Sequence, residues 1–432
     1  MIKPYFKKIE LSNSLRILMH QISAINSVTI EMVVKAGPRY ENQGRTGMAH
    51  FLEHMLFEGT RRFQSSKELA IYLESVGGRS GAWTNKENVV YYVKVPSQHL
   101  KIAFDYLSEI LFNSLLTEEA IEKEKNIVLE ELHRKNDNVE ADIWDIWMEW
   151  VWGKQQTLGR PTIGYEKTIQ SFTKAGLNNY LGSLYSPENM VLGVAGNFNQ
   201  KDVLEYSQRY FGTLSSHKNI ANFDKASFIP KNKIVQVVRR NTEQVQLVLG
   251  FVTGISYLHP DRFPMRILAD TLSLGISSRL FHRLVYELGL AYSAGAGVWL
   301  FTDTGLFYTF GGFSPGKIDE AVNIIADEIQ RLKKQKVPKK ELKEVKEKDI
   351  ASMLFNLETS EAIADYLSIT ELLENKVLTP DQVKNKINKV TQEDIQVISE
   401  KYLNRKNLAV TIIGPINESD SSKIENALKI LN

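Results

Sequence analysis

The sequence predicts an α+β protein of two structurally similar domains, each a mostly antiparallel sheet covered by helices. Three observations support this prediction. Strand-like and helix-like hydrophobic patterns are mixed along all 432 residues. Hairpin-like strand pairs recur beside long helices, which favours antiparallel sheets over a doubly wound parallel sheet. The order of these patterns in the first half of the chain also returns in the second half, as a structural duplication would produce.

Composition limits the class of protein and its partners. The chain has 53 Lys and Arg against 51 Asp and Glu, a formal net charge of +2, and 43% hydrophobic residues. Because a typical domain has about 150 residues, we expect two or three domains with substantial cores and exclude collagen, disorder and small scaffolds. The balanced charge provides no overall cationic field, so neither nucleic acid nor a membrane is expected as a partner.

The histidines, the lack of cysteine and the N-terminus bear on metal sites and location. Eight histidines and no cysteine mean that any metal site uses nitrogen and oxygen ligands. No disulfide can form, which fits a reducing compartment. Residues 1–20 lack the apolar core and cleavage site of a signal peptide. No stretch approaches the roughly 18 apolar residues of a membrane-spanning helix, and we therefore predict a soluble, cytoplasmic protein.

Individual elements follow from hydrophobic periodicity. Alternation predicts strands at 27–34 and 88–95, and helical periodicity predicts helices at 66–76 and 117–134. The first half then contains a strand pair, a helix ending in FLEHMLFEGT, the turn GGRSGAW with a tyrosine-rich strand, an acidic helix and ENMVLGVAGNF. The second half repeats this order with VQLVLGF, ILADTLSLG, LAYSAGAGVW with LFYTF, KKELKEVKEKDI and NLAVTIIGPI.

A polar segment divides the chain almost in half. Residues 213–232, TLSSHKNIANFDKASFIPKN, contain Ser, Asn and Lys and have Pro230 near their end, which is typical of a linker. We therefore predict an N-terminal domain over 1–212, the linker over 213–232 and a C-terminal domain of similar fold over 233–432.

The residues His50, Glu53 and His54, within TGMAHFLEHMLFEGT, form the most informative pattern. We expect a helix capped by Thr46 and ended at Gly59, on which positions i, i+3 and i+4 share one arc. Two imidazoles one turn apart can reach one tetrahedral zinc ion, and the adjacent carboxylate can accept a proton from a water molecule there. This HxxEH spacing is the inverse of HExxH.

The alternative is a pair of satisfied histidines on an amphipathic core helix. A chance HxxEH in a chain with so few histidines has a probability on the order of one in a hundred, so metal binding is favoured. A third ligand can come from EAIEKEKNIVLEELHRK, where Glu124 and Glu131 stand two turns apart on one face. Glu130 and His133 point away from that face. A run of Glu and Lys is ordinarily a solvated surface, and only the histidine pair makes this helix a candidate.

With these residues together, the sequence resembles the pitrilysin family, which includes insulin-degrading enzyme and the mitochondrial processing peptidases. It is most similar to the bacterial half-length branch. The resemblance implies zinc as cofactor with His50, His54 and Glu131 as ligands, because Glu131 matches the second glutamate of VLEEL. It also implies Glu53 as the general base and Glu124, seven positions before Glu131, as a catalytic-site carboxylate that orients the metal centre.

Further segments extend the resemblance over nearly the whole chain. They are LGRPTIG at 158–164, SPENMVLGVAGNF at 186–198, and SSRLF followed by ELGLAYS near 277–293. The family implies two similar α+β domains with the metal in the first only. Arg266 and Asp270 stand in the second half roughly where the histidines would fall.

In the family, an edge strand beside the zinc pairs with the backbone of the peptide substrate, which is recognition by strand addition. The resemblance places this strand at 81–84 and implies Ala82, Trp83 and Thr84 as substrate-binding residues. Family members usually have Asn at the position of Gly81, so one hydrogen bond to substrate is expected to be missing. A plain turn glycine is the equal alternative at this position.

A second departure concerns the C-terminal domain. Family members that bind substrate from this domain use an Arg and a Tyr seven residues apart. Here the tyrosine is Tyr292, but Val285 holds the arginine position, and Arg283 faces elsewhere on a helix. In half-length members two subunits close around a chamber. The chain therefore resembles the catalytic member of a heterodimer whose non-catalytic partner has the Arg/Tyr pair, with a homodimer as the alternative.

The helix ADIWDIWMEWVWG places Trp144, Trp147 and Val151 on one face. Such a stripe is most often core. Trp150 and Trp152 lie elsewhere on the helix, and either is a candidate for the chamber wall or the subunit contact.

From the residues and the resemblance we predict a zinc-dependent endopeptidase that hydrolyses unstructured peptides in a closed chamber. The expected reaction is direct attack by water without an acyl-enzyme, which is consistent with a chain that has no cysteine nucleophile and no G-x-S-x-G elbow. Two alternatives are a specific presequence-processing peptidase and a catalytically silent scaffold or assembly subunit. Nucleotide binding has little support, because no P-loop or G-x-G-x-x-G follows a strand.

Overall fold

The computed structural model describes residues 5–216, 221–228, 233–416 and 418–431. The described residues form two compact units. Unit 1 is drawn from Met1–His133, Arg160–Asp224 and Asn356–Val377, and unit 2 from Arg134–Gly159, Lys225–Phe355 and Leu378–Asn432. Within the described ranges, no helix is both long enough and apolar enough to cross a membrane.

Unit 1 contains a six-stranded sheet in the order β1-β2-β6-β3-β5-β4. Only β2 and β6 run parallel; the other neighbouring strands are antiparallel. The strands, numbered along the chain, are β1 (Lys7–Glu10), β2 (Arg16–Gln21), β3 (Ser27–Val34), β4 (Arg79–Thr84), β5 (Val89–Pro96) and β6 (Met190–Gly196).

Helices cover both faces of this sheet. The helices of unit 1 are α1 (Met48–Met55), α2 (Ser66–Glu74), α3 (Leu100–Phe112), most of α4 (Glu118–Asp137), α6 (Glu166–Gln170), α7 (Lys174–Leu184), α8 (Gln200–Phe211) and α13 (Ser360–Glu374). Helices α1 and α3 share one apolar core with the sheet, and α13 packs against β3 and β6 on the opposite face. Because both faces are covered, seven of the eight β3 residues are buried.

Unit 2 repeats this topology with a five-stranded sheet in the order β7-β11-β8-β10-β9. Only β7 and β11 run parallel, as β2 and β6 do in unit 1. The strands are β7 (Val235–Arg239), β8 (Val245–Val252), β9 (Ala291–Leu300), β10 (Gly305–Phe313) and β11 (Leu408–Gly414). The predicted fold class, two similar α+β domains with mostly antiparallel sheets, is confirmed.

The helices of unit 2 are α5 (Val139–Trp152), α9 (Arg262–Ser273), α10 (Arg279–Phe281), α11 (Ile318–Lys334), α12 (Lys339–Asn356), α14 (Pro380–Lys389), α15 (Gln392–Tyr402) and α16 (Glu418–Ala427). Helix α5 packs on β8 and β11. The indole N–H of Trp147 donates to the carbonyl oxygen of Ala409 at 3.0 Å. The Trp147 ring also packs against Gly250, because a Cβ at Gly250 would stand only 2.2 Å from the nearest carbon of that ring. Trp152, predicted as a candidate for a chamber wall or subunit contact, is 4% exposed and belongs to this core.

The two sheets fall on either side of the predicted linker, but two helical segments do not follow the halves of the sequence. Residues 134–159 belong to unit 2, and residues 356–377 belong to unit 1. Within the predicted linker, residues 217–220 and 229–232 lie outside the described residues. The domain boundaries predicted from the sequence stay a prediction.

Helix α13 contacts the sheet of unit 1 through buried polar groups as well as apolar ones. The Ser368 hydroxyl donates to Oε1 of the fully buried Glu31 on β3 at 2.6 Å. Burial raises the pKa of Glu31 well above its usual value, and neighbouring Asp365 raises it further, while the Ser368 hydroxyl lowers it. Burial raises the pKa of Asp365 to about 6. The folded state therefore retains protons that the unfolded chain would release near pH 4.

Glu31 and Asp365 should therefore contribute most to the free energy of unfolding below about pH 4. This contribution is lost as the pH rises through about 6. In Glu31→Gln, the fall in thermal midpoint between about pH 4 and about pH 7 should be smaller than in the wild type. The matched control is Thr29→Val, which removes a buried, non-titrating contact to Ser360 of the same helix and should retain the wild-type fall. An equal fall in wild type and Glu31→Gln would contradict the prediction.

Candidate metal centre

The HxxEH residues lie on α1, an eight-residue helix. Met48, Ala49, Phe51, Leu52 and Met55 are buried in the core of unit 1. The remaining arc presents His50, Glu53 and His54 in partly buried positions. Apolar residues on one side of a short helix thus direct the three polar residues to the other side, as the helical spacing predicts.

The start and end of α1 differ from the prediction. Thr46 does not cap the helix, because its hydroxyl donates instead to the carbonyl oxygen of Gln43 at 3.2 Å. The helix begins after Gly47, which has a φ of 93° and offers no side chain. It ends at Met55 rather than at Gly59.

Glu41 takes the capping role that was expected of Thr46. Its Oε2 accepts from the Gly47 N–H at 2.8 Å, and its Oε1 accepts from the Ala49 N–H at 2.7 Å. Burial raises the pKa of Glu41 to about 7, against the two N–H groups and the nearby Lys86 and Arg160, which lower it. No sequence signal pointed to Glu41, because it belongs to no helix and has no periodic relation to His50.

Helix α4 brings Glu131 to the two histidines. Its Oε1 lies 3.6 Å from His50 Nε2, and its Oε2 lies 3.6 Å from His54 Nε2. One ligand atom from each of the three residues lies within 4.8 Å of the others. Ligand atoms at 2.0–2.1 Å from a tetrahedral zinc ion are about 3.3 Å apart, so the spacing and the two-nitrogen, one-oxygen donor set fit that metal.

Glu124 supports this set from one side, as the resemblance implies. Its Oε1 accepts a hydrogen bond from His54 Nδ1 at 2.8 Å, and its side chain is 4% exposed. With the proton on Nδ1, the lone pair of Nε2 points toward Glu131, which is the tautomer a metal ligand needs. Glu130 and His133, predicted to point away, are both exposed.

The charges around His54 favour a cation. Burial alone would lower the pKa of His54, but the hydrogen bond and charge of Glu124, together with Glu131 and Glu53, raise it above its usual value overall. A pocket that stabilises a proton on imidazole also stabilises other positive charge. The electrostatics therefore agree with the donor set in favouring a divalent cation.

Glu53 lies on the same arc of α1 and contacts the edge of the sheet. The Thr84 hydroxyl donates to Glu53 Oε2 at 2.6 Å. Burial raises the pKa of Glu53, while Thr84 and His54 lower it and Glu131 raises it, with a net increase. A raised carboxyl pKa brings this group closer to neutral pH, which suits a general base.

The predicted substrate strand is β4, which pairs with β5 on one side and with no other strand within the described ranges. Ala82, Trp83 and Thr84 all lie in β4, and Thr84 joins it to Glu53. Gly81 is also a β4 residue without a left-handed φ, so the turn-glycine alternative is wrong. A Cβ at Gly81 would stand 2.6 Å from the Tyr92 ring. The Tyr92 ring thus occupies the space that an asparagine side chain would enter.

The predicted residues of the C-terminal half lie in unit 2. Tyr292 is 85% exposed at the start of β9. Val285 lies in a π-helical turn, His282–Glu287, that follows α10. The Arg283 guanidinium donates to Glu328 at 3.2 Å, so this arginine is engaged within unit 2.

Arg266 and Asp270, the residues that the sequence places roughly where the histidines would fall, lie on a helix of unit 2. Arg266 and Asp270 stand one turn apart on α9, and Arg266 Nε donates to Asp349 on α12 at 2.8 Å. Burial raises the pKa of Asp270 to about 7, and Asp349 raises it further while Arg266 lowers it. Within the described ranges, the only group of three potential metal-ligating side chains is His50, His54 and Glu131.

Comparison with known proteins agrees with this arrangement. Residues 16–165 match the family model described as "Insulinase (Peptidase family M16)", and residues 171–348 match the model described as "Peptidase M16 inactive domain". The chain belongs to peptidase family M16. The resemblance to the pitrilysin family, which includes insulin-degrading enzyme, is thereby confirmed. The match to the insulinase model, over residues 16–165, includes all five predicted residues of the site: His50, Glu53, His54, Glu124 and Glu131.

Similar proteins match this chain over nearly their whole length. A protein of Rickettsia bellii named an uncharacterized zinc protease is 30% identical over 97% of this chain and 100% of its own. The YmxG protein of Bacillus subtilis, also named an uncharacterized zinc protease, is 30% identical over 95% of this chain and 98% of its own. A protease from Helicobacter pylori has a crystal structure with a TM-score of 0.87 and 21% identity, covering 95% of this chain and 100% of its own. That structure has the same fold as this chain.

The contact between Gly81 and Tyr92 predicts the effect of restoring the usual M16 asparagine. Gly81→Asn should destabilise the protein by about 1 kcal/mol, because the Tyr92 ring must leave its contact with Trp83, 5.9 Å away between ring centroids. Thermal unfolding measures this loss. In a Tyr92→Ala background the same substitution should cost nothing, and an equal penalty in both backgrounds would show that Tyr92 is not the obstacle.

Proposed function

We propose that this protein is a zinc-dependent endopeptidase that hydrolyses unstructured peptides. The observation that carries the proposal is the convergence of His50, His54 and Glu131 within 4.8 Å, with Glu53 on the same arc of α1. Three protein ligands are the number that a catalytic zinc site uses, because the fourth position is needed for water or substrate. The names of the relatives, zinc proteases, support the same activity.

The chain's own residues divide the work of the reaction. Zinc, when bound, supplies Lewis acidity that polarises a peptide carbonyl and lets a water molecule lose a proton near neutral pH. His50, His54 and Glu131 would hold the ion, and Glu124 would keep the His54 ring in its ligating tautomer. The Glu53 carboxylate accepts the proton of the attacking water and returns it to the leaving amine. Thr84, which donates to Oε2 of Glu53, keeps that carboxylate in position.

The edge of the sheet supports recognition of an extended peptide. β4 is paired on one side only within the described ranges, and an extended chain can add there by backbone hydrogen bonds. Ala82, Trp83 and Thr84 would contact it. Since Thr84 also contacts Glu53, a peptide on this edge would pass beside the proton acceptor. Strand addition requires an extended backbone, which favours unstructured peptides over folded proteins.

One observation favours a different function, that of a catalytically silent scaffold or assembly subunit. Residues 171–348 match a family model described as an inactive domain. Against this, all four residues of the proposed zinc and proton-transfer set are present in residues 16–165. The location in the cytoplasm, predicted from the lack of cysteine, of a signal peptide and of a membrane-spanning stretch in the sequence, stays a prediction.

Glu53→Gln tests the proposed activity. The substitution should lower peptide turnover by at least about a hundredfold, because it removes the proton acceptor, while bound zinc stays at one ion per chain. The matched control is Glu130→Gln, an exposed α4 residue about 100° around the helix from Glu131, which should leave both quantities unchanged. Equal turnover in wild type and Glu53→Gln would exclude the hydrolase and favour the scaffold. Cleavage sites mapped on long peptides separate general hydrolysis from presequence processing.

We propose further that two chains enclose the substrate and that the partner is a non-catalytic paralogue. Tyr292 is exposed, but Val285 stands at the arginine position and Arg283 is paired with Glu328. The chain therefore offers half of the Arg/Tyr pair. A paralogue with both residues and no HxxEH would supply the missing guanidinium, whereas a homodimer would have to function without it.

Mixing with such a paralogue should raise peptide turnover by about tenfold or more, the effect of one added charge-assisted hydrogen bond. Size-exclusion chromatography with light scattering should show the mass of two chains. The matched control is the paralogue with its arginine replaced by alanine, which should bind without the gain. No gain from the intact paralogue would contradict the heterodimer. A comparable gain from Val285→Arg in the chain alone would favour the homodimer.

A further inference from the structure

The N-terminus of α1 lacks the usual local cap. The first backbone N–H groups of any helix have no partner within the helix, and a side chain at the N-cap position ordinarily accepts from one of them. The N-cap residue of α1 is Gly47, which has no side chain. The helix that presents His50 and His54 therefore depends on a group elsewhere to bind its first N–H groups.

That group is the carboxylate of Glu41, nine residues before His50. Both of its oxygens are engaged, one by the Gly47 N–H at 2.8 Å and one by the Ala49 N–H at 2.7 Å. Glu41 is 3% exposed, so no bulk water competes for these bonds. A negative charge at a helix N-terminus is also favoured by the helix dipole. Two directed bonds to residues 47 and 49 restrict both the position of the helix end and its rotation.

Glu41 is itself held by a second segment of the chain, LGRPTIG at 158–164. Arg160 Nη1 donates to the backbone carbonyl of Glu41 at 2.9 Å, and Lys86 donates to the backbone carbonyl of Arg160. Gly47 and Gly164 are in close contact, since a Cβ at Gly47 would stand 2.6 Å from the Gly164 Cα. The start of α1 is thus clamped between the Glu41 carboxylate and the backbone of this segment.

We propose that Glu41 is a positioning residue for the metal centre: it anchors the N-terminus of α1 so that His50 and His54 face Glu131. This inference rests on the proposed zinc site. The Glu41 carboxylate binds the backbone N–H groups of Gly47 and Ala49, so it acts on the ligands through the helix backbone. Loss of either bond would let the first turn of α1 shift, and His50, the ligand nearest that end, would move relative to Glu131.

Glu41→Gln tests the anchor with little change in volume. The amide oxygen can accept from one N–H, but the amide NH₂ faces the other N–H as a second donor. Zinc affinity, measured by competition with a chromophoric chelator, should fall about tenfold, the lower end of the loss expected when support of a ligand is removed. In the metal-free protein, hydrogen–deuterium exchange should rise in peptides covering residues 47–56.

The matched control is Ser368→Ala, which removes a buried hydroxyl that donates to Glu31 in the same unit. It should lower the thermal midpoint without changing zinc affinity or exchange at 47–56. If Glu41 contributed only to general stability, Glu41→Gln and Ser368→Ala would have the same effects on zinc affinity and on exchange at 47–56. Zinc affinity lowered equally in both, or unchanged in Glu41→Gln, would overturn the proposal.

A second variant covers the case in which Glu41→Gln does not fold. Glu41→Asp keeps the charge but is one methylene shorter, so it can reach only one of the two N–H groups. We expect a smaller loss of zinc affinity and a smaller rise in exchange at 47–56, and unchanged exchange there would overturn the proposal. If the wild type binds no zinc, the proposed function fails, whereas the exchange measurement in the metal-free protein still decides whether Glu41 anchors α1.

Discussion

Two imidazole nitrogens and a carboxylate within 4.8 Å of one another set the main constraint on unit 1. Such a set is useful only if α1 and α4 keep their separation to a few tenths of an ångström, since metal–ligand distances vary little. Each helix therefore buries an apolar face in the same core, and Glu124 joins them at His54. The first turn of α1 has no side-chain cap from its own N-cap residue, because that residue is Gly47. The buried Glu41 carboxylate lies at that turn.

The sequence predicts those features of the site that depend on the spacing of residues within one helix, and not those that depend on contacts between elements. Helical spacing alone placed His50, Glu53 and His54 on one arc, and spacing on α4 separated Glu124 and Glu131 from Glu130. Choosing Glu131 as the third ligand required the family resemblance, because periodicity cannot pair two distant helices. Glu41 and Tyr92 were missed for the same reason. One acts across a loop, and the other depends on strand register, which puts the Tyr92 ring over Gly81.

For the fold too, the sequence predicts single elements but not the contacts between them. The strands at 27–34 and 88–95 and the long acidic helix are found within three residues of their expected ends, because burial on one face leaves a clear period in the sequence. The sequence pattern of one element does not show which other elements pack against it. The tryptophans of α5 indicated a buried helix, but only the structure shows that the glycine at 250 makes room for the Trp147 ring. Likewise, Thr46 has the chemistry of a cap, and the tertiary contact from Glu41 prevailed over it.

Helix α13 has a consequence for the order in which unit 1 can form. Its residues follow the second sheet's fourth strand in the chain, yet they cover Val33, Val191 and Ala195 on the back of the first sheet. During synthesis, that sheet leaves the ribosome well before its cover does. Its apolar back is then exposed for the time needed to translate more than a hundred residues, which invites association with chaperones or with other nascent chains. Folding of the unit that holds the candidate metal site thus depends on prior synthesis of most of the other unit.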